Sequence, residues 1–262
     1  MTAATPGTVY LVGAGPGDPE LLTLKAARLL ATADVVLHDD LVPQAVLGHA
    51  ASALAINVGK RCGKKNITQA QIEAMMVDYA RRGLSVVRLK SGDPLVYGRA
   101  GEEMAALRAA GITYEVVPGI TSAFAAAADF ELPLTLRGVA SSLVFTTGHD
   151  LTGDVLPDWA SLAVSGATIA VYMGRTVAAS VAERLMQAGI PAETTVAVIE
   201  NASRAERRLL HGTLADLPDL QHRDELTGPV MVIIGDAVAG ANFELSEPLV
   251  RANARLEELA RS

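Results

Sequence analysis

Short apolar runs recur along the chain, each ending in glycine, proline or a polar cluster, with helix-period stripes between them. Residues 8–12 read as a strand entering Gly13-Ala14-Gly15-Pro16-Gly17-Asp18; Asp18 suits an N-cap and Pro19 the first helical position. Leu21, Leu22, Leu24, Leu29 and Leu30 mark one apolar face of the helix expected there. Strands follow at 35–37 and 56–59, and strand–glycine turn–helix–strand is a βαβ unit, which predicts a largely parallel sheet. Thr68 and Gln71 form a capping box, and Ile72, Met75, Met76 and Tyr79 give the stripe of a helix that Gly83 ends. The run 84–89 predicts a strand, which feeds the turn 91–99 and a helix over 102–110 closed by Gly111. A strand at 113–117 then meets Pro118-Gly119-Ile120-Thr121-Ser122 and an Ala-rich helix to Asp129.

After Pro133 the pattern restarts. Strands are expected at 142–147, 168–173, 195–200 and 230–234, an extended segment near 208–210, and helices over 177–187 and around Ala215. The whole pattern predicts two α/β domains, 8–117 and 138–246, with a linker region at 118–137. The charged tail 247–262 has the composition of a surface helix.

Composition narrows this picture. At 262 residues and 50 % hydrophobic content the chain can bury a large core, and with only 4 % aromatics that core is aliphatic and rich in small residues. The lone Cys62 forbids an internal disulfide or a Cys-based metal cage and fits a reducing cytoplasm. No apolar run has the length of a membrane span, and the N-terminus lacks the basic-then-apolar order of a signal peptide, so a cytoplasmic protein is expected. A net charge of −7 argues against a nucleic-acid partner. The cations are nevertheless clustered: Lys60, Arg61, Lys64 and Lys65, then Arg88, Lys90 and Arg99, a patch suited to a small polyanion.

The candidate chemistry sits in the turns. Asp93 rides at the tip of Ser91-Gly92-Asp93-Pro94, and Arg99 and Glu102 lie three apart on the first helical turn, which a plain connector would not need. Gly13-x-Gly15-x-Gly17 with Asp39 some way on also fits the dinucleotide fingerprint of an NAD(P)- or flavin-dependent oxidoreductase. Against that reading, the sixth fingerprint position is Asp18, Pro16 removes an N–H, and Asp18 and Glu20 put negative charge where a pyrophosphate would bind.

The segments VYLVGAGPGDPELLTLKAARLL, DVVLHDDLV, VGKRCG, VVRLKSGDPLVYGRAGEE, VVPGITSAFAAAA, PLTLRGVASS, FTTGH, VYMG, IENAS and GPVMVIIGDAV run in order from about residue 8 to 240. In them the chain resembles the tetrapyrrole methyltransferases, and VGKR with SGDPLVYGR resembles the branch acting on uroporphyrinogen III rather than the later corrin-ring methylases. The resemblance implies two α/β domains of the tetrapyrrole methylase type with the active site in the cleft between them, S-adenosylmethionine as donor, no metal, and a homodimer. It implies methylation of uroporphyrinogen III at C-2 and C-7 to precorrin-2, the branch point to sirohaem and cobalamin. It assigns Pro16, Ser91, Gly92, Asp93, Val96, Thr121, Ser122, Met173 and Ala202 to the cofactor, and Arg99, Glu102 and Arg137 to the substrate. Asp39 becomes the proton acceptor and Lys60 a proton donor or charge partner, with Arg61 and Arg88 as possible helpers. Asp40, Ser91, Ala100, Leu136 and Ala202 depart from the residues the family uses most at those positions. The five histidines have no metal spacing; His149 alone, in the TGH match, is a candidate to face the cleft.

Overall fold

The computed structural model describes residues 6–59, 67–148 and 166–250, and the chain divides into two compact units, Met1–Ser122 and Ala123–Ser262. The first is a five-stranded sheet of β1 (Val9–Gly13), β2 (Val35–His38), β3 (Leu54–Asn57), β4 (Val86–Lys90) and β5 (Tyr114–Val117), in the order β3-β2-β4-β1-β5. Every pairing in it is parallel.

Alternation along these strands feeds two cores. Val9, Leu11, Val35, Leu37 and Val86 face one side, where α3 (Gln69–Arg81) and α4 (Ala100–Ala109) bring Ile72, Met76 and Leu107. Val12, Val36, Val87, Leu89 and Val117 face the other, covered by Ala26 and Leu30 of α1 (Leu24–Thr32) and Val46 of α2 (Gln44–Leu47). A strand buried on both faces has to be apolar at both parities, which explains the unbroken apolar runs.

Strand order also locates the site. From β1 the chain moves toward β2 on one side of the sheet, and from β4 it moves toward β5 on the other. The turns after β1 and β4 therefore leave adjacent strands for opposite faces of the sheet, α1 lying on one and α4 on the other, and such a switch point is where open α/β sheets bind ligands.

The helix expected from Pro19 onward breaks in two. Asp18 does cap a short 3-10 turn, Pro19–Leu21, with its carboxylate accepting from Glu20 N at 2.8 Å. Thr23 then takes over as cap, its Oγ1 accepting from Ala26 N at 3.1 Å, and α1 starts at Leu24. Leu24, expected on the apolar face, is exposed as a result. The capping box of Thr68 and Gln71 is present at the head of α3.

The second unit holds α5 (Ser122–Asp129, its first residue still in the first unit), α6 (Ala178–Gln187) and a six-stranded sheet. Its strands are β6 (Leu143–Thr147), β7 (Thr168–Tyr172), β8 (Thr195–Glu200), β9 (Arg208–Thr213), β10 (Val230–Ile234) and β11 (Glu247–Pro248). The order is β11-β9-β8-β10-β7-β6, with β10 antiparallel to both β7 and β8. The C-terminal ends of β7 and β8 thus reach the same edge, on either side of Val230 and Met231. The helix expected around Ala215 is a 3-10 segment at Leu217–His222.

Candidate active site

Three turns meet at the carboxyl end of the first sheet. Gly15 and Gly92 pair backbone to backbone, Gly15 N donating to Gly92 O at 3.2 Å and Gly92 N to Gly15 O at 2.7 Å. A Cβ on Gly13 would stand 2.5 Å from Gly119 N, and one on Gly119 would stand 2.3 Å from Gly92 O. Only glycine permits that approach, so the turns after β1, β4 and β5 form one cradle. Asp93 fastens it: Oδ2 accepts from Gly119 N at 3.0 Å and Oδ1 from Leu95 N at 2.8 Å. Thr121, buried, and Ser122 lie beside Gly92. Pro16 follows Gly15 in the same cradle, and Val96 sits in the turn after Asp93.

The turn 94–99 is tightly wound. Tyr97 and Arg99 both have left-handed backbones, at φ 52° and 56°, a conformation that costs non-glycine residues energy and marks functional turns. Arg99 donates from Nε and Nη2 to the two oxygens of Glu102, at 2.8 and 2.7 Å, with both side chains about half exposed. The Glu102 carboxylate raises the pKa of Arg99, so the guanidinium stays charged.

Beneath this surface runs a buried ion network. Asp39, just past β2, accepts from Arg88 Nη2 at 2.6 Å through Oδ1; its Oδ2 accepts no hydrogen bond from the described residues. Arg88 also donates to Leu37 O and Leu89 O, and its Nε donates to Glu103 at 3.0 Å. Lys90 Nζ donates to both oxygens of Glu103 at 3.0 Å. Arg88, Lys90 and Glu103 are 3 %, 2 % and 0 % exposed. Burial lowers the Lys90 pKa below its ordinary value, with Arg88 adding to the effect and Glu103 and Asp39 opposing it.

In the second unit, Met173 follows β7 with a left-handed backbone (φ 53°) and is 41 % exposed. Ala202, buried, follows β8 between two more left-handed residues, Asn201 and Ser203. That turn is held by Glu200, which accepts from Gly228 N at 2.7 Å, and by Asp129, which accepts from Ser203 N. Met173, Arg175, Thr176, Gly228 and Val230 line a pocket of about 230 Å³ on the same edge. Arg137 is exposed in a turn closed by the Leu136–Ala140 bridge.

Residues 8–218 match the model of the Tetrapyrrole (Corrin/Porphyrin) Methylases. The chain belongs to the tetrapyrrole methylases. It is 48 % identical, over 88 % of its length and 92 % of the relative's, to the S-adenosyl-L-methionine-dependent uroporphyrinogen III methyltransferase of Methanosarcina barkeri (strain Fusaro / DSM 804). It is 45 % identical to the siroheme synthase of Gluconacetobacter diazotrophicus, and spans only about half (51 %) of that longer protein. Among solved structures it resembles uroporphyrin-III C-methyl transferase from Thermus thermophilus complexed with S-adenyl homocysteine, at TM-score 0.76 and 40 % identity over 89 % of this chain and 99 % of the other. A cobalt precorrin-4 methyltransferase superposes with TM-score 0.78 at 32 % identity, covering 88 % and 95 % of the two chains.

In this tetrapyrrole methylase the expected cofactor residues of the first unit gather at one cradle, and Arg99 and Glu102 pair beside it. Met173 and Ala202 share an edge of the second sheet, while Arg137 stands on a separate turn of that unit. Lys60 lies outside the described residues, as do Arg61, Cys62, Lys64, Lys65 and His149. The cationic patch needs correction: Arg88 and Lys90 are not surface cations but buried members of an ion network. The dinucleotide alternative loses its anion site, because the Asp18 carboxylate occupies the N-terminus a pyrophosphate would need.

Glu103 was missed by motif reasoning, which assigned its neighbour Glu102. The signal was present: two cations two apart in a strand apolar at every other position require a buried acid. Asp40 Oδ1 accepts from Asn57 Nδ2 at 2.6 Å. Among the described residues no group of three or more His, Cys, Asp or Glu could hold a metal ion, and no helix is long and apolar enough to cross a membrane.

Proposed function

We propose that this chain is an S-adenosylmethionine-dependent C-methyltransferase that methylates uroporphyrinogen III at C-2 and C-7, giving precorrin-2 for sirohaem or cobalamin synthesis. The observation that carries the reading is the near end-to-end match to a relative whose name states S-adenosyl-L-methionine-dependent methylation of uroporphyrinogen III. The glycine cradle supports it: without a Cβ at Gly13 or Gly119 the turns after β1, β4 and β5 close on one another and offer bare backbone at the carboxyl end of the sheet.

S-adenosylmethionine, when bound, supplies a methyl group on a sulfonium cation. The chain's own part is to orient and to move protons. Pro16, Ser91, Gly92, Asp93, Val96, Thr121 and Ser122 would hold the cofactor against bare backbone, and Met173 and Ala202 are assigned to it as well. A pyrrole carbon that gains a methyl leaves a cationic ring, which must lose a proton to become neutral. Asp39 is the proposed acceptor: Arg88 fixes Oδ1, and the side chain remains about one-third exposed. Lys60 keeps its proposed part as donor or charge partner. Arg99 and Arg137 would bind substrate carboxylates, because a guanidinium grips a carboxylate in bidentate fashion, and Glu102 would hold Arg99 or a pyrrole N–H.

Anaerobic incubation with uroporphyrinogen III and S-adenosylmethionine tests the reading. The expected product is two methyl groups heavier. An unchanged substrate mass, with turnover of a corrin precursor instead, would favour the later-methylase reading that the cobalt precorrin-4 methyltransferase likeness supports. Binding of NADH in preference to S-adenosylhomocysteine would move the chain to the oxidoreductases. A homodimer and a cytoplasmic location belong to the same proposal; light scattering of the purified chain at twice the monomer mass supports the first.

A further inference from the structure

Asp39 needs one cation to hold it, and Arg88 at 2.6 Å is enough. The network does not stop there. Glu103, on the first turn of α4 and fully buried, accepts from Arg88, twice from Lys90, and from Gln69 Nε2 at 3.3 Å. Burying a further Lys–Glu pair is expensive, and an apolar pair of similar volume would serve the core as well or better. A charge pair kept in such a place calls for a reason beyond packing.

Lys90 has a second contact that supplies one. Gly98 sits on its stem: a Cβ there would stand 3.0 Å from Lys90 Cε and 2.5 Å from Pro94 O. Gly98 lies between Tyr97 and Arg99, the two left-handed residues of the turn. Glu103 is therefore bonded on one side to the guanidinium that holds Asp39, and on the other to the side chain on which the turn carrying Arg99 rests.

We infer that Glu103 and Lys90 are positioning residues of the methyl transfer, fixing Asp39 through Arg88 and the 94–99 turn through the Lys90 stem in a single geometry. The inference rests on the proposed roles of Asp39 and Arg99. It assigns no direct contact with substrate to either residue.

The test uses the full chain with uroporphyrinogen III turnover, S-adenosylhomocysteine calorimetry and thermal midpoints. Glu103→Leu strands Lys90 as a buried cation, so the midpoint should fall by about 10 °C along with the rate. Lys90→Met/Glu103→Leu removes both charges and should recover most of the midpoint. Its kcat should nevertheless stay on the order of 10²-fold below the parent, with S-adenosylhomocysteine affinity changed less than about twofold. Glu103→Gln keeps an oxygen for Arg88 and should regain at least about tenfold of the lost rate. A double variant that regains kcat together with its midpoint, or a Glu103→Gln enzyme no faster than Glu103→Leu, would overturn the positioning role alone. A parent enzyme that transfers no methyl to uroporphyrinogen III would instead remove the proposed function and this inference together.

Discussion

Asp39 and the glycines of the cradle are the residues whose roles are most exposed to test. Asp39→Ala should lower product formation by about 10²-fold or more, as expected when a general base is lost, while S-adenosylhomocysteine still binds; single-turnover measurements read both. A full-rate variant would mean the proton leaves by another route. Gly119→Ala meets carbonyl and backbone atoms at 2.3–3.0 Å on two neighbouring turns, with no flexible side chain to give way. It should cost about 1–3 kcal/mol and weaken S-adenosylhomocysteine binding at least about tenfold by calorimetry. Lys90 makes a pH prediction. Arg88 and Glu103 face it on its own sheet and from α4, with Asp39 beyond, and its pKa is lowered chiefly by burial. Between the lowered folded value and the ordinary 10.5, the unfolded chain holds the proton that the folded chain has released, so this group makes stability rise with pH there. The wild-type midpoint should therefore gain on that of Lys90→Met as the pH approaches 10.5; parallel curves would contradict the assignment.

At the scale of elements, local chemistry set boundaries well where a cap was written plainly. The capping box puts the head of α3 at Thr68, and Thr68→Ala should cost about 1 kcal/mol, a midpoint loss of about 2–4 °C, with methylation rate unchanged. The stretch after Pro19 held two competing caps. Asp18 and Thr23 each satisfy a backbone donor, and a leucine stripe running through both looked like one helix until the second cap interrupted it. The strand at 208–213 exceeds the extended segment expected near 208–210, since Gly212 pairs with Val196 across the sheet despite glycine's weak strand preference. Pairing partners, rather than propensity, decide strand length at such places.

The whole molecule is acidic, yet its proposed substrate is an octa-acid. Attraction then has to be local, carried by exposed cations such as Arg99 and Arg137 rather than by net charge. Raising the salt from about 50 to 300 mM should increase KM for uroporphyrinogen III several-fold with little change in kcat, since screening acts on encounter. A salt-independent KM would argue that carboxylate contacts contribute little. The two units also differ in sheet architecture, all-parallel in the first and mixed in the second, where β10 enters antiparallel between β7 and β8. Periodicity reports that a segment is extended and buried; it does not report its direction or its neighbours.

Residue order alone determined the α/β class, most strands, the turns that carry glycine, and the family, because these depend on local alternation, backbone freedom and motif spacing. Which face Arg88 and Lys90 occupy was left to tertiary structure: in a strand covered on both sides, apolar residues at both parities hide the distinction. Only the crossover that lays α4 on that face brings Glu103, thirteen and fifteen residues further on, to Lys90 and Arg88. Charges so close in space and so separated along the chain are joined by packing, and packing is the step that no local pattern encodes.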